Sequence, residues 1–203
     1  HAVVSEALYD ATPPAQRMQL HYEIAETMEK HHAAIAAHRA SIAHHYLLAL
    51  PFAPAEKAVE AARVAAQTAV ARLAYEEGAR LFSSAIDASR SLDNEQRYVE
   101  LLLGLGDALG RAGDADDSKA AFLDAIELLR ALDAPQLFAQ AALGYAGQFV
   151  WLRAGDDTQV VPLLREAIER LPDDDSRQRV RLLARLAGAM RDDVSKVARD
   201  ALS

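Results

Sequence analysis

Apolar residues recur every three or four positions along most of the chain, the spacing that lays one continuous stripe on a helix. The stripe is clearest between positions 101 and 129. Leu101, Leu102, Leu105, Ala108 and Leu109 form one face, Gly113 interrupts, and Ala121, Phe122, Ala125, Ile126 and Leu129 form a second. A glycine past the last periodic residue ends a helix, and Asp114 is of the type that caps the next one. The pattern predicts two antiparallel helices joined at a tight turn. A glycine in a helix interior costs about 1 kcal/mol relative to alanine, so Gly106 is expected where a neighbouring helix comes close.

The same pattern returns on both sides. Upstream stand Ala62, Ala65, Ala66 and Ala69, then Gly78, Phe82 and Ala85; downstream stand Leu143 and Gly144, then Gly155, Leu164, Ala167 and Pro172. Leu183, Leu186, Ala187 and Met190 open a further copy. Phe82, Phe122 and Leu164 fall in one phase, as do Ala85, Ala125 and Ala167. Self-similarity at a fixed period is the mark of a repeat array. The expected pairs cover about 55–92, 93–132, 133–172 and, in part, 173–203, within a repeat region of 51–203 that follows a helical segment at 1–50.

A leucine-glycine pair on the first helix, and alanine, aromatic and alanine on the second before a proline, resemble the tetratricopeptide repeat over about Ala55 to Ser203. The resemblance implies an all-α, right-handed superhelical solenoid of helical hairpins. The copies lie closer to ~40 residues apart than to the standard ~34, a spacing that HEAT and armadillo units also use. The excess falls in SRSLDNEQ, ALDAPQ and FVWL, and the phase of the small and aromatic positions favours the tetratricopeptide reading.

In the N-terminal segment, HAVVSEALYD reads as a short helix stopped by Thr12, Pro13 and Pro14, with Thr12 as cap and Pro13 opening the next helix. QRMQLHYEIAETMEK carries Leu20, Ile24, Ala25 and Met28 on one side, and a third helix around IAAHRASIAHHYLLAL ends at Pro51 and Pro54. This order before a repeat array resembles the region that follows the ATPase and winged-helix segments in large bacterial STAND-type regulators. The LuxR-type ATP-binding activators and the maltotriose-responsive activator belong to that group. The resemblance implies a sensor and protein-interaction module of a transcriptional regulator, binding an inducer, a partner protein or a neighbouring subunit. The remaining readings are a plain scaffold beside a cyclase or kinase in another multidomain chain and a HEAT-like structural solenoid. The chain opens at His1 with neither an initiator methionine nor a charged-then-apolar leader, so it is read as cut from a longer protein.

Composition narrows these readings. The 203 residues include no cysteine, which excludes disulfides and thiolate metal sites and suits a reducing cytoplasm. No apolar run approaches the ~20 residues of a membrane span. A formal charge of −8 argues against direct nucleic-acid contact in this segment. No cofactor is expected: GLGDALGRAG lies within a predicted helix and lacks the strand and lysine of a phosphate-binding loop. No serine stands in a nucleophile elbow, so the segment is read as non-catalytic.

All seven histidines precede position 46. His31, His38 and His45 are seven apart, which along one helix is ~10 Å and too far to share an ion. They are read as structural, in helix-end and interhelical hydrogen bonds, with a pH response open to them. Asp114, Asp116 and Asp117 lack the alternation and distal glutamate of a calcium loop. Asp93 with Gln96, Asp133 with Gln136 and Asp156 with Gln159 suit capping boxes, and Asp173 to Asp175 suit a helix start. Arg177, Arg181 and Arg185 are expected on a solvated stripe opposite Leu183, Ala187 and Met190, with an acidic partner as the sharper alternative. Solenoids commonly bind on the inner surface. Repeat phase places Arg63 and Gln67, Asp107 and Arg111, and Tyr145 and Gln148 on it. Trp151 and Phe149 join the site or pack the added turn.

Overall fold

The chain is seen in a computed structural model that describes residues 9–32, 35–147, 157–173 and 176–200, with side chains described as far as 191. Within them the regular structure is helical: α1 Pro14–His32, a short 3-10 turn Ala36–His38, α2 Arg39–Leu48, α3 Ala55–Ala71, α4 Tyr75–Ser89, α5 Glu95–Ala112, α6 Ala115–Leu129, α7 Pro135–Ala146, α8 Val160–Arg170 and α9 Arg177–Asp200. None of these helices is long and apolar enough to cross a membrane. GLGDALGRAG is helical through Ala112, as the pattern predicts.

The chain forms two compact units, His1–Ala112 and Gly113–Ser203. In the first, each helix packs on its neighbour in sequence from α1 through α5. In the second, α6 packs on α7, α7 on α8, and α9 on both α7 and α8. Sequence-adjacent packing of amphipathic helices is what a helical repeat requires.

The repeat phase has a concrete basis in a ring set on a glycine. Phe82 of α4 lies over Gly104 of α5, so closely that a Cβ there would sit 2.5 Å from Cε1 and Cζ of the ring. Forty positions on, in the second unit, Phe122 of α6 lies over Gly144 of α7 in the same way. Both phenylalanines are buried, and Ala85, Ala125, Leu164 and Ala167 are fully so. A close approach on α5 is thus made at Gly104, on the face that meets α4, and Gly106, two residues later, is buried as well. Gly78 receives Val70, whose Cγ2 would be 2.6 Å from an added Cβ.

Turn chemistry departs from the prediction at several ends. Gly113 has the expected left-handed backbone, with φ of 102°, and its counterpart forty positions earlier is Leu73, with φ of 65°. Asn94 rather than Asp93 caps α5, its Oδ1 accepting the Arg97 N–H at 2.9 Å. Helix α7 starts on Pro135 after Ala134, without the Asp133 box, because proline supplies the helical φ and has no N–H to cap. Asp114 precedes α6 but makes no side-chain capping bond. Ser176 Oγ accepts the Arg179 N–H at 3.3 Å at the start of α9, while Asp173 pairs with Arg179 at 3.0 Å. Helix α1 opens on Pro14, one residue later than predicted. Asp156, Asp174 and Asp175 lie outside the described residues.

The amphipathic faces of the two end helices are rotated from the predicted ones. On α1, Ala25 is buried and Met28 packs against the same core as predicted, whereas Leu20 and Ile24 are exposed. On α9, Leu182, Arg185 and Ala189 are buried while Leu183 and Ala187 face outward. The solvated arginine stripe is thus corrected: Arg181 is exposed, but Arg185 is 2% exposed. Its Nε and Nη2 donate to the carbonyl oxygen of Ala146, the last residue of α7. A helix C-terminus carries unpaired carbonyls and partial negative charge, which is what draws a guanidinium inward.

Candidate ligand-binding cavity

Three helices of the first unit surround a cavity of about 310 Å³ lined by Glu29 from α1, Arg39 and Ile42 from α2, and Glu56, Lys57, Glu60, Ala61 and Val64 from α3. The floor is apolar, through Ile42, Ala61 and Val64, and the rim is charged. Small residues on α3 make the space: Ala61 lies one turn from Lys57 on the same helix face and fills little of it.

A polar network fixes the walls. Tyr46, fully buried on α2, has its hydroxyl 2.7 Å from Glu26 Oε1 and 2.6 Å from Glu29 Oε2, both carboxylates from α1. Burial and these two carboxylates push the phenol far above its ordinary range, so it stays protonated. Lys57 reaches from α3 to Glu26 and stands 5.9 Å from the centroid of Tyr22 and 5.8 Å from that of Tyr46, within cation–π range. The Lys57 bond, then that of Tyr46, hold the Glu26 carboxyl below its usual value. Three helices are joined through one phenol, two carboxylates and one ammonium. Arg39 Nη1 donates to Thr68 Oγ1 at 2.8 Å, bracing α2 on α3 at another corner.

Arg63, expected on an inner surface, chelates Glu60 through Nε at 2.9 Å and Nη2 at 2.5 Å, and Arg97 from α5 approaches the same carboxylate at 3.1 Å. Arg63 thereby positions Glu60, a lining residue of the cavity. Gln67 is exposed on α3. Asp107 and Arg111 are brought together on one turn of α5 at 2.9 Å, with the guanidinium 5.9 Å from the Tyr75 ring centroid.

In the second unit Tyr145 is buried rather than surface-lining. Its hydroxyl donates to Asp157, whose Oδ1 and Oδ2 lie at 3.1 and 2.9 Å, and Lys119 of α6 pairs with Oδ2 at 2.7 Å. Burial and Asp157 push the phenol up to about 12. Burial alone would raise the Asp157 carboxyl, but the bonds from Lys119, the Gln159 N–H and Tyr145 outweigh it and hold the group low. Tyr145 ties α7 to the approach of α8. Gln148, Phe149 and Trp151 lie outside the described residues.

Of the three spaced histidines, His38 and His45 lie on or beside α2, and His31 near the end of α1. Ring contacts link His32 to His38 at 5.0 Å and His21 to His45 at 5.1 Å. Among the described residues no group of three or more histidine and carboxylate side chains is placed to hold a metal ion. Pattern reasoning missed the cavity because it lies where the N-terminal helices α1 and α2 meet the first helix of the repeats, a junction that repeat phase does not describe. The available signal was Tyr46 within an otherwise aliphatic stripe: a buried phenol needs polar partners, and α1 supplies carboxylates at one-turn spacing.

No family model matches the chain, and no curated protein does. Among solved structures, the crystal structure of BtubC (BKLC) from P. vanneervenii is similar, with a TM-score of 0.59 over 95% of this chain and 93% of that chain at 12% identity. A likeness at that identity speaks for a shared all-helical architecture.

Proposed function

We propose that this chain is a non-catalytic sensor and protein-interaction module of tetratricopeptide-type hairpins, forming a right-handed superhelix within a multidomain STAND-type, LuxR-family transcriptional regulator. Its inducer, or a side chain of a partner, occupies the cavity between α1, α2 and α3. The observation that carries this reading is the cavity itself: about 310 Å³ with an apolar floor and convergent polar groups, at the lower end of the size small-molecule sites have. Walls drawn from three separate helices allow occupancy to change how those helices pack, as a sensor requires.

The test is a thermal-shift screen of small metabolites, repeated with Ala61→Trp to fill the space. Ligands that raise the melting temperature of the wild type, and not that of the filled variant, support the proposal. A screen with no such ligand, or equal shifts in both proteins, overturns the cavity as the sensing site. The regulator assignment is tested separately by sequencing the flanking gene: a Walker loop upstream and a helix-turn-helix downstream support it, and a cyclase or kinase domain there replaces it with the scaffold reading.

A further inference from the structure

We infer that His21 of α1 and His45 of α2 form a proton-sensitive clasp, which joins the two helices while the pair holds at most one added proton and parts them when both rings are charged. The two Nδ1 atoms are 2.8 Å apart and the rings are stacked, with planes 29° apart. A hydrogen bond between two ring nitrogens needs an N–H on one and a lone pair on the other. Tyr9 sets a consistent arrangement from the far side, its hydroxyl lying 3.0 Å from His21 Nε2. In the neutral state Tyr9 donates to His21 Nε2, and His21 Nδ1–H donates to His45 Nδ1. One added proton is accommodated, because a charged His21 donates from both nitrogens, to the Tyr9 oxygen and to His45. A second proton places an N–H on each Nδ1, facing one another across the same gap, and two positive rings with centroids 5.1 Å apart.

The surroundings oppose that second charge. Arg17 of α1 stands over the Tyr9 ring at 4.9 Å, and the His44 ring is 5.5 Å from His45. Arg17 adds positive potential, and any charge on the His44 ring would add to it. Asp10, the nearby carboxylate, is turned to Arg17 at 3.9 Å. Glu26 and Glu29 are engaged by Tyr46, Lys57 of α3 is drawn to Glu26, and Glu23 accepts from Gln19. Among the described residues no carboxylate pairs with either ring. In accord with this geometry, burial and then the neighbouring cations hold both imidazoles below the ordinary histidine value of 6.5. Groups lowered in the folded state contribute stability that is complete above 6.5 and is lost as pH falls through the folded values. Because α1 also supplies Glu29 to the cavity, acid release of α1 would open that site; this consequence rests on the proposed function, whereas the clasp does not.

The experiment is a double-mutant cycle with His21→Gln, His45→Gln and the pair, melted at about pH 7.5 and at a lower pH where NMR of the wild type shows both rings charged, with hydrogen exchange of α1 amides followed in parallel. A favourable coupling at the higher pH that vanishes or reverses at the lower is expected. Exchange of α1 should rise on acidification relative to α4, and the double variant should lose this rise. Equal coupling at both pH values, or the same rise in the double variant, overturns the clasp. Should the variants fail to fold, the wild type decides by NMR titration of the two rings. Two well-separated steps support the clasp, and both rings titrating together near the ordinary value overturn it.

Discussion

Helices α1 and α2 are joined by opposite means from helices α4 and α5. The first pair meets through a histidine pair and a phenol shared by two carboxylates, contacts that depend on proton positions. The second pair meets through Phe82 seated on Gly104, an apolar contact indifferent to charge. Unit two repeats the second solution with Phe122 and Gly144. The first pair has apolar packing too, through Ala25, Ile42 and Tyr46, but adds to it contacts that a proton can break, so acid or a charged ligand acts selectively on α1. The comparison also separates two uses of buried polarity. Tyr145 with Asp157 and Lys119 holds a packed joint together, while the buried Tyr46 holds Glu29, which with Lys57 lines an open space.

The contrast is broken most forcefully at the rings. Phe82→Ala and Phe122→Ala should each lower stability by about 3–5 kcal/mol, through lost burial and the cavity left over glycine, in denaturant unfolding at neutral pH. Tyr46→Phe should cost about 1–3 kcal/mol, since it takes the phenol donor from Glu29 and leaves Glu26 to Lys57. Its signature is a loss confined to α1 and α2 in hydrogen exchange, and uniform loss across unit one would count against a local joint. Gly104→Ala and Gly144→Ala set overpacking against helix propensity. A penalty of about 1–3 kcal/mol less a gain of about 1 leaves a modest net loss. Each should be relieved when the facing ring is trimmed to leucine, and independent effects in the double variants would contradict the contact. The smallest change is Leu73→Gly, expected to raise stability by up to about 1 kcal/mol, because a left-handed backbone strains a leucine and not a glycine.

How much of this was legible follows from what each contact depends on. Phe82, Phe122, Ala85 and Ala125 announced themselves because their roles rest on size and period, which a sequence displays directly. Gly104 went unremarked beside Gly106, as both lie in one apolar stretch and only the crossing of α4 decides which meets the Phe82 ring. Arg185 was assigned to solvent on the rule that charges face outward. The rule fails where a helix end, here that of α7 at Ala146, offers a carbonyl to a guanidinium. Tyr145 was placed on a surface by phase, and the aspartate that draws it inward stands twelve residues away in the sequence. The cavity and the histidine pair join α1 to α2 and α3, and such pairings leave no periodic trace.

Both ring-on-glycine contacts close short stretches of chain, 82 to 104 and 122 to 144. The entropy of closing a loop grows only slowly with its length and is modest at this size. Each interlock can therefore form without waiting for distant segments, and topologies dominated by such near-neighbour contacts fold fast. A nascent chain would be able to set its first ring before the next helix pair has been synthesised, so assembly can proceed in the order of translation.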